Sequence, residues 1–78
     1  MPLYYFNVYN DDVTLDDEGA ELADHDAAMA RGIREARALA ADTVLKGHLT
    51  RCHLIEVQDE HRNKVGVVRF DDAVEIRD

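Results

Sequence analysis

The segment Leu3-Tyr4-Tyr5-Phe6-Asn7-Val8-Tyr9 decides the fold of this chain. Aromatic and β-branched residues are favoured on a pleated surface, so the segment predicts a β-strand. Side chains alternate along a strand, so one side of it carries Tyr4, Phe6 and Val8. The other side carries Leu3, Tyr5, Asn7 and Tyr9. Both sides are apolar or aromatic, and one helix can cover only one of them.

Turn chemistry follows this strand. Asn10-Asp11-Asp12 predicts a turn, and Val13-Thr14-Leu15 predicts a short second strand that pairs back as a hairpin. Asp16-Asp17-Glu18-Gly19 predicts a further turn, in which Gly19 is available for a positive φ.

An amphipathic helix is predicted over residues 25–46. Asp24 stands at the N-cap position, the segment is rich in Ala, Leu, Arg and Glu, and Gly47 ends it. At about 100° per residue, one stripe is built mostly of small side chains, so the helix can approach a sheet closely. The stripe consists of Met29, Gly32, Ile33, Ala36, Ala40, Thr43 and Val44.

The rest of the chain predicts a hairpin. Residues 52–58 and 64–70 have strand composition and flank a polar turn at 59–63. Residues 74–76 alternate and predict a short terminal strand or an extended tail. The predicted fold is α+β, in the order β(β)αββ, with a small, mainly antiparallel sheet packed on one amphipathic helix. Residues 1–78 form a single domain.

Charge is distributed unevenly along the chain. The 78 residues carry a net charge of −8, and the first basic residue is Arg31. Eight acids precede it: Asp11, Asp12, Asp16, Asp17, Glu18, Glu21, Asp24 and Asp26. Because phosphate binding needs clustered Lys and Arg, this balance argues against nucleic acid as a partner.

Composition also predicts a compartment. Cys52 is the single cysteine, so an intramolecular disulfide is impossible, and a lone thiol suits a reducing environment. No segment has the length of a membrane span, and the N-terminus lacks the pattern of a secretory signal. We therefore expect a cytoplasmic protein without a membrane partner.

The second side of the first strand leads to our main functional hypothesis. Apolar surface left open to solvent often marks a contact site, so we expect a protein-binding or homodimer surface here. Its predicted residues are Leu3, Tyr5, Tyr9 and Leu54. A second, charged surface is predicted at Asp11, Asp12, Asp16, Asp17 and Glu18. In the alternative interpretation, the tyrosine rings lie over the sheet with their hydroxyls in water.

Two other hypotheses stay open. His48, Cys52 and His53 cluster in sequence and could serve a small-ligand or metal-binding protein, although their spacing matches no zinc motif. The acidic N-terminal part could imitate nucleic acid and occupy a basic groove of another protein.

Catalysis and cofactors are not indicated. His25 with Asp24 or Asp26, and Cys52 with His53 or His48, are the nearest pairs, yet no phosphate loop or nucleophile elbow accompanies them. We predict a non-enzymatic interaction module without a cofactor.

Several segments together carry a family resemblance. They are Met1-Pro2-Leu3-Tyr4-Tyr5-Phe6-Asn7-Val8, Asp17-Glu18-Gly19-Ala20-Glu21-Leu22, Glu56-Val57-Gln58-Asp59-Glu60 and Val68-Arg69-Phe70-Asp71-Asp72-Ala73-Val74-Glu75-Ile76. Over nearly the whole chain, the sequence resembles a family of short bacterial proteins known only as a domain of unknown function. The resemblance implies a bacterial, cytoplasmic, stand-alone domain and contributes no catalytic or ligand-binding residue.

Overall fold

Three of the four later strands in the described residues pair with the first strand. The computed structural model describes residues 1–50, 52–75 and 77. Its elements are β1 (Leu3–Tyr9), β2 (Val13–Thr14), β3 (Ala20–Glu21), α1 (His25–Leu45), β4 (Leu54–Gln58) and β5 (Lys64–Arg69). The predicted α+β fold is confirmed.

The sheet is antiparallel throughout. β4 pairs with β1 along one edge, from Tyr5 opposite Gln58 to Tyr9 opposite Leu54, and β5 pairs with the other edge of β4. The second edge of β1 is shared by β2 and β3, which pair with two residues each. The strand order is β2-β1-β4-β5, with β3 beside β1 next to β2.

The helix begins and ends where the sequence predicts. The Ala27 N–H donates to the Asp24 side chain (2.8 Å), which is the predicted N-cap, and Gly47 follows the helix with φ of 97°. The fully buried positions are Ala28, Gly32, Ala36 and Ala40. Most residues of the predicted stripe are buried or half-buried, as predicted. Val44, near the C-terminal end of α1, is the exception because it is largely exposed.

The core lies between α1 and one face of the sheet. It contains Tyr4 and Phe6 of β1, Ile55 and Val57 of β4, Val68 of β5, and Phe70 and Ala73 beyond β5. The side of β1 that we predicted to meet the helix therefore does so. Small helical residues allow this close approach: a Cβ built on Gly32 would lie 3.0 Å from Cγ2 of Val57.

Some element boundaries differ from those predicted. β4 starts at Leu54, because Cys52 lies exposed in a turn and His53 precedes the strand. β5 ends at Arg69, since the Arg69 carbonyl accepts from the N–H groups of Asp72 and Ala73 and closes a turn.

β3, at Ala20–Glu21, is a strand that the sequence did not predict. The proposed terminal strand is not formed at Val74 and Glu75, and its last residue, Ile76, lies outside the described residues.

Replacing Gly32 tests the close contact between helix and sheet. We expect Gly32→Val to lower the free energy of unfolding by about 1 to 3 kcal/mol, because the added methyl groups collide with Val57. Urea titration measures the change, with Ala38→Val on the exposed side of α1 as the control for β-branching in a helix. Equal decreases in the free energy of unfolding of the two variants would show that the contact between Gly32 and the sheet is not tight.

Candidate functional site

The candidate site is the face of the sheet that the helix leaves uncovered. We call it the outer face. Its residues are Leu3, Tyr5, Asn7 and Tyr9 of β1, Leu54, Glu56 and Gln58 of β4, and Val67 and Arg69 of β5. All four predicted apolar contact residues, Leu3, Tyr5, Tyr9 and Leu54, lie on this face and are half-buried. The structure thus places them together, on two neighbouring strands of one surface.

A stacked arginine covers part of Tyr5. The guanidinium carbon of Arg62 lies 3.5 Å from the centre of the Tyr5 ring, a cation–π distance. Arg62 belongs to the turn between β4 and β5 and has a φ of 65°. The Asp59 carboxylate supports that turn by accepting from the N–H groups of His61 and Asn63 (both 2.9 Å). The Asn63 bond is the main reason that the pKa of Asp59 lies below its usual value.

A polar network crosses the middle of the outer face. Glu56 Oε1 accepts from the Tyr9 hydroxyl (3.4 Å) and from the Gln58 side-chain amide (3.2 Å). Gln58 Oε1 in turn accepts from Arg62 (3.4 Å), so the network reaches the stacked arginine. The outer face is therefore a mixed aromatic and polar surface, and less apolar than the side chains of β1 alone predict.

Asp16 anchors the acidic loop, which we define as residues 15–19, to β1. Its Oδ2 accepts from the Phe6 N–H (3.1 Å), and its Oδ1 accepts from the N–H groups of Glu18 (3.1 Å) and Gly19 (3.0 Å). Its own N–H donates to Oδ1 of Asn7 (2.9 Å), which explains how Asn7 can be only 2% exposed. Asp16 thus bonds to the edge of β1 between the residues that pair with β3 and those that pair with β2.

These bonds set the protonation of Asp16. Partial burial raises its pKa, but the N–H groups of Gly19, Phe6 and Glu18 outweigh burial and hold the pKa below its usual value. The five acids that we predicted as one charged surface therefore divide into two kinds. Asp16 has a structural role, whereas Asp11, Asp12, Asp17 and Glu18 are exposed.

A cleft of about 470 Å³ separates the acidic loop from α1. Phe6 and Ala20 line it from the sheet, and Arg31 and Glu35 line it from the helix. Arg31 Nε and Glu35 Oε1 are 3.0 Å apart, so the cation at this cleft is paired within α1.

The histidines are placed separately from the cysteine. His48 and His53 line one pocket of about 230 Å³ between the end of α1 and the turn at residues 10–12, whereas Cys52 does not line it. His25 meets the Tyr4 ring edge-on at 5.8 Å. Over residues 1–50, 52–75 and 77, no three His, Cys, Asp or Glu side chains are grouped to hold a metal ion.

His53 makes a contact that sequence reasoning missed. It is 4% exposed, its ring meets Phe70 edge-on at 5.7 Å, and its Nε2 lies 3.3 Å from Oδ1 of Asp11. Asp11 is separated from it by 42 positions, and only the β1–β4 pairing brings the two together. No local sequence signal could have indicated this pair.

The fold and the outer face define a small α+β domain that has one open sheet surface and no helix long and apolar enough to cross a membrane in the described part. The chain belongs to the family described as Domain of unknown function (DUF6894), which it matches over residues 3–71. The resemblance to a family of unknown function is thereby confirmed. Neither a curated protein nor a solved structure shows significant similarity to the chain.

Asp16→Asn tests the anchor of the acidic loop. Asparagine offers one acceptor oxygen where the carboxylate uses two, so a backbone N–H loses its partner. We expect the free energy of unfolding at pH 7 to fall by about 1 to 3 kcal/mol, with Asp17→Asn close to wild type.

The pH dependence supplies a second readout for Asp16→Asn. In the folded chain the pKa of Asp16 is lowered. The carboxylate therefore contributes fully to the free energy of unfolding above its pKa in the unfolded chain, about 3.9, and this contribution is lost as the pH falls through the folded pKa. In urea titrations, the difference in free energy of unfolding between wild type and Asp16→Asn should therefore become smaller below about pH 4. A constant difference down to pH 2 would contradict the anchoring role.

Proposed function

We propose that this chain is a non-enzymatic protein–protein interaction module that binds through the outer face of its sheet. The supporting observation is the coverage of the sheet, because its single helix packs on one face only and leaves tyrosines and leucines half-exposed on the other. A cytoplasmic location in bacteria is part of the proposal, and the exposed free thiol of Cys52 suits a reducing compartment.

The chemistry of the outer face resembles that of contact surfaces. Tyr and Arg are enriched among the residues that contribute most at interfaces, and here Tyr5 and Arg62 form one stack. Leu3 and Leu54 supply apolar area, and the network around Glu56 supplies hydrogen-bonding groups. An anchor that is already ordered before binding loses little conformational entropy when a partner arrives.

Local charge allows a second copy of the chain as the partner. The chain carries −8, and the outer face has Arg62 and Arg69 against Glu56, while Asp11, Asp12, Asp17 and Glu18 lie on the turn and loop beside β2. Two copies could therefore approach face to face without bringing the acidic loops together. This is the homodimer form of the proposal.

The size of the outer face limits the affinity of such a homodimer. Three strands about 4.8 Å apart, with residues about 3.3 Å apart, present roughly 250 to 350 Å². A stable interface buries about 800 Å² on each partner. We therefore expect face-to-face association of two copies to be weak, and a partner of complementary shape to bind more tightly.

Tyr5→Lys tests the outer face directly. The substitution removes the stacked ring and places a second cation beside Arg62, so partner binding should weaken at least about tenfold. Partners are first captured from bacterial lysate on the wild-type chain, and the affinity of each identified partner is then measured by calorimetry.

The matched control adds the same charge away from the sheet. Leu45 is 87% exposed near the end of α1, so Leu45→Lys should leave binding unchanged. Circular dichroism must show that both variants are folded. Unchanged affinity in folded Tyr5→Lys would remove the outer face as the binding surface.

A further inference from the structure

One segment of the fold takes no part in the core. Residues 10–19 connect β1 to β3 and include β2, and we call them the strap. Within the strap only Asp16 and Gly19 are half-buried, and all its other residues are exposed. Its two large apolar side chains, Val13 and Leu15, are 61% and 59% exposed. The strap therefore gains little from hydrophobic burial, in contrast to the sheet and the helix.

A small number of polar contacts hold the strap against the rest of the domain. β2 pairs with β1 over two residue pairs. The Asp16 carboxylate accepts from the Phe6 N–H, and the Asp16 N–H donates to Oδ1 of Asn7. Near the start of the strap, Oδ1 of Asp11 lies 3.3 Å from Nε2 of His53. Segments held by few contacts of this kind open at a lower free energy than a buried core.

The residues that follow the strap are held independently of it. β3 pairs with Leu3 and Tyr4 of β1, and the Leu22 N–H donates to the Pro2 carbonyl (3.1 Å). Ala20 and Leu22 also pack against the core. Opening of the strap would therefore leave the remaining sheet, the helix and the core in place.

Asp16 is the contact that acid can remove. Its carboxylate accepts one N–H of β1 and two N–H groups within the strap. Partial burial raises the pKa of Asp16, but the N–H groups of Gly19, Phe6 and Glu18 outweigh burial and hold the pKa below its usual value. These bonds stabilise the charged form of the carboxyl, so protonation favours a state in which they are broken.

Charged side chains surround Asp16 from the strap, from α1 and from the turn between β4 and β5. They are Asp17 and Glu18 of the strap, Arg31 and Glu35 of α1, which line the same cleft, and Arg62 of the turn. β1 has no Asp, Glu, His, Lys or Arg. Because several of these neighbours are also acids, the effect of pH on the strap must be compared with its effect on Asp16→Asn.

We propose that the strap opens from the edge of β1 as a unit while the rest of the domain stays folded, and that protonation of Asp16 drives this opening. Opening frees the backbone groups of Phe6 and Val8. Both face this edge, because the Phe6 N–H bonds to Asp16 and alternation turns Val8 to the same side. Opening also removes one wall of the cleft beside α1. The strap lies outside the outer face, so the inference stands apart from the proposed function.

Amide hydrogen exchange measured by NMR tests the opening with two reporters. The Val8 N–H faces Thr14 of the strap and makes no bond to Asp16, so it reports on the strap. The Glu56 N–H lies between β4 and β1, so it reports on global unfolding. At pH 7 we expect the protection factor of Val8 to be at least about tenfold below that of Glu56.

A core variant separates local opening from global unfolding. Ile55 is fully buried, so Ile55→Val should lower the protection factor of Glu56 about two- to tenfold. The same variant should leave the protection factor of Val8 unchanged, because the open state keeps the core. Equal protection of Val8 and Glu56 in wild type, with a parallel decrease in Ile55→Val, would overturn the proposal.

The role of Asp16 is tested in Asp16→Asn, with Asp17→Asn as the matched control. Asp16→Asn should lower the protection factors of Phe6 and Val8 together, at least about tenfold at pH 7, and Asp17→Asn should leave both unchanged. A decrease at Phe6 alone would show that a bond is lost without opening of the strap, which contradicts a unit.

Acid supplies the last comparison. As the pH falls below about 4, the protection factor of Val8 in wild type should decrease toward that of Asp16→Asn, which should itself stay constant. An equal decrease in Asp16→Asn would assign the effect to another carboxylate and overturn the role of Asp16. A wild-type protection factor of Val8 that stays constant down to pH 2 would overturn it as well.

Discussion

A sheet has two faces, and this chain has one helix to cover them. β1 carries aromatic or aliphatic side chains on both sides, so burying Tyr4 and Phe6 against α1 places Tyr5 and Tyr9 on the opposite surface. The described residues form no second helix or sheet that could pack there. The small helical residues follow from the same constraint, since a thin core is filled best when helix and sheet approach closely.

Side chains of the same protein contact part of the outer face. Arg62 lies over Tyr5, and Glu56 accepts from both Tyr9 and Gln58, so the rings have polar neighbours without being covered. Such a surface presents polar groups to water and still leaves aromatic area exposed. This mixed surface is compatible with an interaction module. A fully apolar face would favour aggregation instead.

Acidic residues serve two purposes that composition could not separate. The Asp16 carboxylate accepts one backbone N–H of β1, from Phe6, and two of its own loop, from Glu18 and Gly19, and its low pKa follows from those bonds. Asp17 and Glu18, its neighbours, are exposed and contribute negative charge to the surface beside β2.

Local chemistry in the sequence determined the element order, the Asp24 N-cap, the stop at Gly47 and the side of β1 that meets the helix. These features depend on residues within a few positions of each other, through alternation, helical spacing and capping. Tertiary structure alone decided the role of Asp16, the Arg62–Tyr5 stack and the Asp11–His53 contact. Each of these joins groups distant in sequence, and their meeting depends on strand order and register, which no local pattern contains.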